Sequence, residues 1–264
     1  MDVSEKVAVI TGGSRGVGRA TAKILSRLGC SVLINYRNSK EAALQVVQQI
    51  EEQGGKAICF AGDVANDSVC KAMMEAAVSQ FGRLDILVNN AGTTRFIDHS
   101  DLDAVTDEVW DSIFAVNLKG PFQCMRAAAP YLRKSETAEI VNVASIAGMT
   151  TVGSCIPYGA SKAALINLTV NMARVFGPTV RVNAVAPGFI AGDWLREGLG
   201  ENYETVEKSV AKQTTLARVN TPEDIAAAIV SLITGSDTVT GQTLVVDAGQ
   251  SIGPSASSIA TEMN

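Results

Sequence analysis

Histidine is almost missing from this chain: His99 is the only one in 264 residues. Cysteine is present but unpatterned. Cys30, Cys59, Cys70, Cys124 and Cys155 are odd in number, scattered and without a C-x-x-C pair. The two shortages together argue against a metal centre, and the cysteines against a disulfide framework; a reducing compartment is expected. No run approaches the 18 apolar residues of a membrane span, and the densest, 226–233, is broken by Ser231. The opening Met-Asp-Val-Ser-Glu-Lys has neither the basic nor the apolar part of a secretory signal, so a cytoplasmic protein is expected. Positive charge is also short, 22 Lys and Arg against 27 Asp and Glu for a net −5. That balance speaks against nucleic acid or an anionic membrane as the main partner.

The chain is rich in material for a core. Hydrophobic residues make up 47% and charged ones 19%, which excludes a disordered chain. Short β-rich apolar runs (7–10, 32–36, 57–60, 86–88, 140–143, 180–185 and 243–246) alternate with stretches of helical period (16–29, 40–53, 67–81, 106–133, 157–176 and 221–233). Most of the runs are apolar throughout, as expected of strands covered on both faces. Thr221-Pro222-Glu223-Asp224 supplies an N-cap, a first-turn proline and acids for the last helix. Repeated β-α-β units with right-handed crossovers imply an α/β fold: one doubly wound, Rossmann-type parallel sheet of about seven strands with helices on both faces. Nothing divides the chain, so 1–264 is expected to be a single domain. Two segments break the rhythm: a polar loop at 93–106, and 189–215, expected to be a lid over the substrate. The small, polar 254–264 is expected to be a flexible tail.

The first strand runs into Thr11-Gly12-Gly13-Ser14-Arg15-Gly16-Val17-Gly18, which opens a helix. Glycines there let backbone approach a pyrophosphate, whose charge meets the exposed N–H groups of the helix. At the end of the second strand an acid would bind a ribose 2′-hydroxyl and repel a 2′-phosphate. Tyr36 and Arg37 stand there instead, with no acid before Glu41. Arg37 can take a phosphate bidentately, with Arg15 closing from the other side, so NADP is expected over NAD. The alternative is two solvated surface arginines.

The glycine turn, Asn89-Asn90-Ala91-Gly92 after the fourth strand, Ser145, and Tyr158-Gly-Ala-Ser-Lys162 together resemble the short-chain dehydrogenase/reductase superfamily, over nearly the whole chain to Ala248-Gly249. The overall pattern is similar to 3-oxoacyl-carrier-protein reductases and to glucose 1-dehydrogenases. The resemblance implies that Tyr158 is the acid/base, and that Lys162 helps it and holds the nicotinamide ribose. It also implies that Ser145 donates to the substrate oxygen and that Asn117 holds a proton-relaying water. Physically, the i, i+4 spacing puts Tyr158 and Lys162 on one helical face. An ammonium there is expected to lower a phenol pKa that otherwise sits near 10.

By the same resemblance Gly12, Ser14, Arg15, Gly16, Val17 and Gly18 meet the pyrophosphate, Tyr36 and Arg37 the ribose end, and Asp63 and Val64 the adenine. Asn90, Ala91 and Gly92 lie centrally, while Pro187, Gly188 and Ile190 meet the nicotinamide amide. Gly192 stands where the family often has Thr, which puts one contact there in doubt. A homotetramer is implied as well; Ala127, Ala128, Ala129 and the 163–172 stretch offer small, apolar surface for it, equally suited to internal packing.

The function expected is hydride transfer between NADP(H) and a carbonyl or secondary alcohol. The polar 93–106 loop suggests a small polar ketone or hydroxy compound, with a 3-oxoacyl thioester or a sugar as alternatives. A non-catalytic NADP-binding sensor is the competing class.

Overall fold

A computed structural model describes residues 1–255, so most of the 254–264 tail lies outside the described residues. Seven parallel strands form one sheet in the order β3-β2-β1-β4-β5-β6-β7. They are β1 Val7–Ile10, β2 Ser31–Tyr36, β3 Ala57–Ala61, β4 Ile86–Asn89, β5 Ala138–Val143, β6 Val180–Pro187 and β7 Thr243–Val246.

Strand periodicity sends neighbouring residues to opposite faces. Val7 and Val9 of β1 join Leu33, Leu87, Ile140 and Val182 on one face. There they pack on Met73 and Met74 of α3 (Asp67–Phe81), Cys124 and Leu132 of α5 (Gly120–Leu132) and Phe176 of α6 (Ile156–Phe176). Ala8 and Ile10 join Val32, Ile34, Ile86 and Val141 on the other. That face is covered by Leu25 of α1 (Gly16–Arg27), Ile50 of α2 (Lys40–Glu51) and Ile229 and Ile233 of α9 (Pro222–Thr234). Apolar burial on both faces drives the fold, and the continuous apolar strands are its trace in the sequence.

One expectation needs correction, and two others gain detail. The single helix over 106–133 is instead α4 (Asp107–Phe114), a wider π turn at Ala115–Lys119, and then α5. The 189–215 segment holds two helices, α7 (Asp193–Leu199) and α8 (Tyr203–Gln213). The last strand is not covered on both faces: β7 closes one edge, and Leu244 and Val245 are 40% and 38% exposed.

Strand order reverses between β1 and β4, the neighbours from which the chain winds outward in both directions. At such a switch point the loops leaving the strand C-terminal ends part and open a crevice. The glycine turn follows β1, and Asn90, Ala91 and Gly92 follow β4.

Candidate active site

The β1–α1 turn is held open by hydrogen bonds from its neighbours. Asn90 Nδ2 donates to the carbonyls of Thr11 (2.8 Å) and Gly12 (3.0 Å). The Thr11 hydroxyl accepts from the backbone N–H of Asn90 and of Ala91, both at 3.0 Å. From β2, Asn35 Oδ1 accepts from Gly12 N–H (3.3 Å), while its Nδ2 reaches the Gly62 carbonyl (2.9 Å). Gly12 sits at φ +62°, in the left-handed region glycine favours. A Cβ on Gly18 would lie 2.5 Å from the Gly12 carbonyl and 2.6 Å from Asn90 Nδ2. Gly16, at φ +52°, would meet nothing within 4 Å. The turn is thus tight on its protein side and open on the other.

The start of α1 lacks both a capping side chain and an acidic residue in its first turn. Its leading N–H groups and the positive helix end suit a pyrophosphate. The residues present therefore fit a dinucleotide.

The reactive cluster gathers at the ends of β4 and β5. Ser145, just past β5, accepts from Ala147 N–H (3.1 Å) and donates toward the Pro187 carbonyl (3.5 Å). Tyr158 and Lys162 project from one face of α6. Lys162 Nζ lies 5.6 Å from the centre of the Tyr158 ring and donates to the Val143 carbonyl at 2.8 Å. Burial draws the Lys162 ammonium down from 10.5 to about 8.

Burial also pushes the Tyr158 phenol up to about 12, against a hydrogen bond from Ser145 that pulls the other way. This reverses the expected lowering. The lysine faces the ring of Tyr158, and desolvation of the phenolate is the largest influence on its hydroxyl.

Asn117, fully buried, sits inside the π turn. Its Oδ1 accepts from Thr93 N–H (2.8 Å), and its Nδ2 donates to the Thr93 carbonyl (3.0 Å) and the Ser161 hydroxyl (3.1 Å). Ser161 in turn donates to the Tyr158 carbonyl at 2.7 Å. The widened turn explains why an asparagine is tolerated mid-helix: it aims the amide inward, where the Thr93 backbone and the Ser161 hydroxyl satisfy it. A Cβ on Gly92 would lie 3.5 Å from Asn117 Oδ1, 3.7 Å from the Trp194 ring and 3.8 Å from Lys162 Nζ. Ser145, Tyr158, Lys162, Asn117 and Gly92 thus form one cluster.

Other expected residues lie around it. Tyr36 is buried, and Arg37 reaches Asp63 at 3.5 Å. The Val64 carbonyl accepts from Gln123 Nε2 (2.9 Å), so Asp63 and Val64 are anchored to α5. Arg15 turns away toward α7, where it meets Glu197 at 3.2 Å. The two arginines are therefore not poised on one point; each holds its own carboxylate. Ser14 is buried and Val17 half-buried, at the turn and the start of α1.

Pro187 ends β6, Gly188 packs on Asp247 and Gln250, and Ile190 bridges to Asn220. Asn89 braces β4 to β5 through Asn142 at 2.8 Å. His99 is exposed, and Cys155 is buried against Thr94. Among the described residues no group of three or more His, Cys, Asp or Glu could hold a metal ion.

Four supporting residues escaped sequence reasoning: Thr11, Asn35, Thr93 and Ser161. For Asn35 and Ser161 a signal existed, a polar residue within an otherwise apolar strand and another beside Lys162. Thr93 acts through its backbone, which no side-chain pattern reveals.

The family model described as enoyl-(acyl carrier protein) reductase matches residues 12–251. A protein of Streptomyces violaceoruber named as a ketoacyl reductase of the granaticin polyketide synthase is 39% identical over 243 residues, 92% of this chain and 95% of that one. The 3-oxoacyl-[acyl-carrier-protein] reductase of Staphylococcus aureus is 37% identical over 246 residues, 92% of this chain and 97% of the other. Among solved structures, a protein of Burkholderia xenovorans named as a short-chain dehydrogenase/reductase superposes with a TM-score of 0.87 at 35% identity, covering 94% of this chain and 98% of that one. With a likeness of that extent added to the crevice and its cluster, the chain belongs to the short-chain dehydrogenase/reductase family of oxidoreductases.

Proposed function

We propose that the protein is an NADP-dependent reductase of ketones in which Tyr158 delivers the proton. The observation that carries this reading is Tyr158 on the face of α6 that also bears Lys162, whose ammonium lies 5.6 Å from the centre of the phenol ring, at the mouth of the crevice. When bound, NADPH supplies the hydride. A phenol pushed up to about 12 is protonated at neutral pH, the state required of a donor to a carbonyl oxygen gaining charge.

Ser145 donates to the same oxygen and steadies it. Lys162, fixed by the Val143 carbonyl, holds the ribose hydroxyls. Asn117 fixes Thr93 and, through Ser161, the backbone of Tyr158. In the same reading Gly12, Ser14, Arg15, Gly16, Val17 and Gly18 hold the pyrophosphate, and Arg37 beside Tyr36 holds the 2′-phosphate, joined by Arg15 once it leaves Glu197. Asp63 and Val64 border the adenine, Asn90, Ala91 and Gly92 the central ribose, and Pro187, Gly188 and Ile190 the amide. NADP over NAD rests on the absence of an acid after β2 and on the nearness of Arg37 to that strand end.

For the substrate we favour a 3-ketoacyl-type compound over a small hydroxylated one. Phe96, Met149, Val152 and Trp194, from the segments bordering Tyr158, are 39%, 55%, 46% and 42% exposed, an apolar rim suited to an acyl chain or a ring. The relatives named as ketoacyl reductases point the same way. Segment 189–215 serves as the lid of a single catalytic domain. Assembly as a homotetramer is supported by exposed Leu244 and Val245 on β7 and Val170 and Val175 on α6. Five free thiols fit a reducing cytoplasm.

The test is NADPH consumption with a 3-ketoacyl thioester, a diketone and a sugar, for wild type and Tyr158→Phe. Loss of turnover by 10²- to 10⁴-fold, with NADPH binding retained, is expected. Full turnover by the variant would overturn the assignment of Tyr158, and activity on the sugar alone would overturn the substrate class.

A further inference from the structure

Helix α7 is the most loosely held element at the site. None of its seven residues is buried, and it is flanked by Gly192 at φ +155° and Gly200 at φ +55°. Glycine at such angles bends without steric cost, so both ends can act as hinges. The inner face of the helix rests on the reaction pocket. Trp194 stands edge-on to Tyr158, with ring centres 6.4 Å apart and planes at 84°, and lies against Gly92. Gly198 packs so closely on the Phe96 ring that a Cβ there would collide with it. A tie of a different kind runs from Glu197 to Arg15 in the glycine turn at 3.2 Å, with both side chains more than half exposed.

That ion pair connects two places with different ligand chemistry. Arg15 belongs to the turn that meets phosphate, and Trp194 covers the atoms that meet nicotinamide and substrate. The carboxylate is held by Arg15 Nη1 alone, so a phosphate dianion that takes that nitrogen displaces Glu197. We infer that Arg15 and Glu197 form a phosphate-sensitive latch: capture of a 2′-phosphate by Arg15 frees Glu197, and with it α7 and Trp194, from the reaction pocket. This rests on the NADP reading above. An exposed pair of this kind is weak and is screened by salt. The latch therefore biases the lid by up to about fivefold and does not lock it.

The chain has two tryptophans, so Trp110→Phe leaves Trp194 as the reporter in the full-length protein. The probes are 2′,5′-ADP, which carries the phosphate without nicotinamide, and 5′-AMP, which lacks the phosphate. The first should shift Trp194 emission to the red and increase its quenching by acrylamide; the second should do neither. In Glu197→Gln, Trp194 should be accessible from the outset and insensitive to both. Glu197→Gln should also tighten NADPH and NADH alike, up to about fivefold, because the nicotinamide end of either must lift Trp194 and α7 from the pocket and the latch then no longer opposes it.

Tightening of NADPH alone would mean that Glu197 merely repels the phosphate, and would overturn the latch. So would an unchanged Trp194 signal when 2′,5′-ADP binds more tightly than 5′-AMP. If the two nucleotides bind equally in competition with NADPH, the NADP reading itself fails.

Discussion

Lys162 keeps an ammonium 3% exposed, and among the described residues the acceptor it finds is the Val143 carbonyl at 2.8 Å. Its depression from 10.5 to about 8 corresponds to a destabilisation of about 3 kcal/mol below pH 8. Lys162→Met keeps the length of the side chain and removes the charge. At pH 7 the variant escapes that cost and strands the Val143 carbonyl, which costs about 1–2 kcal/mol. A net gain in stability of about 1–2 kcal/mol is expected. The pH dependence carries a definite sign. The folded value lies below the unfolded one, so between about 8 and 10.5 the unfolded chain holds a proton that the folded chain has lost, and wild-type stability rises with pH. By pH 10.5 most of the penalty is gone, and the variant should be the less stable by about 1 kcal/mol. Other titrating groups are common to both proteins and cancel in the difference. Urea unfolding at pH 7, 9 and 10.5, with unchanged m-values, reads the crossover. NADPH turnover by the variant should fall at least 100-fold. A stability difference that stays constant with pH, or a variant less stable at pH 7, would refute the idea that the site holds a costly buried cation.

Three further substitutions probe the scaffold and the cofactor end. Gly18→Ala drives a methyl group against the Gly12 carbonyl and Asn90; urea unfolding should show a loss of about 1–3 kcal/mol, and NADPH titration a weaker affinity. Asn117→Ala leaves Thr93 and Ser161 without their partner; about 2–4 kcal/mol should be lost in the same assay, and kcat should fall more than KM rises. Arg37→Ala should weaken NADPH about tenfold while leaving NADH within about twofold by equilibrium titration. Equal losses for the two cofactors would remove the case for a 2′-phosphate contact.

The sheet was legible because two-sided burial leaves apolar strands such as Ile86–Val88, and the motifs at their ends because a sharp turn needs glycine. The bounds of the last strand were found as well, but its exposure was not: an edge strand and a central one can share the same four residues, and only their neighbours in the sheet differ. The π turn was invisible because Asn117 fits a helical period as well as a π one; what widens the turn is the demand of Thr93 and Ser161, remote in sequence. The lid helices escaped because α7 buries nothing and so leaves no apolar stripe. The ionisation of Tyr158 was misjudged for a related reason. Sequence spacing brings the lysine near, yet whether its charge or the loss of water dominates depends on depth, which spacing does not encode.

The site divides into a rigid half and a loose half, and the chemistry gives a reason for each. Proton delivery requires Tyr158, Ser145 and Lys162 to hold their places to a fraction of an ångström. The structure secures this by burying Asn117, Ser161 and Lys162 and tying them to Val143 of β5, to one another and Tyr158 on α6, and to the backbone of Thr93. Burial of that kind costs stability, as Lys162 shows, and can be sustained only where the large apolar core of β4, β5 and α6 offsets it. Entry and exit require the opposite: a wall that moves for little free energy. Helix α7 supplies it with glycines at both ends and contacts that are all partly open to water. Separating the two demands on different elements lets the lid change its residues, and so its substrate, without disturbing the proton donor beneath it.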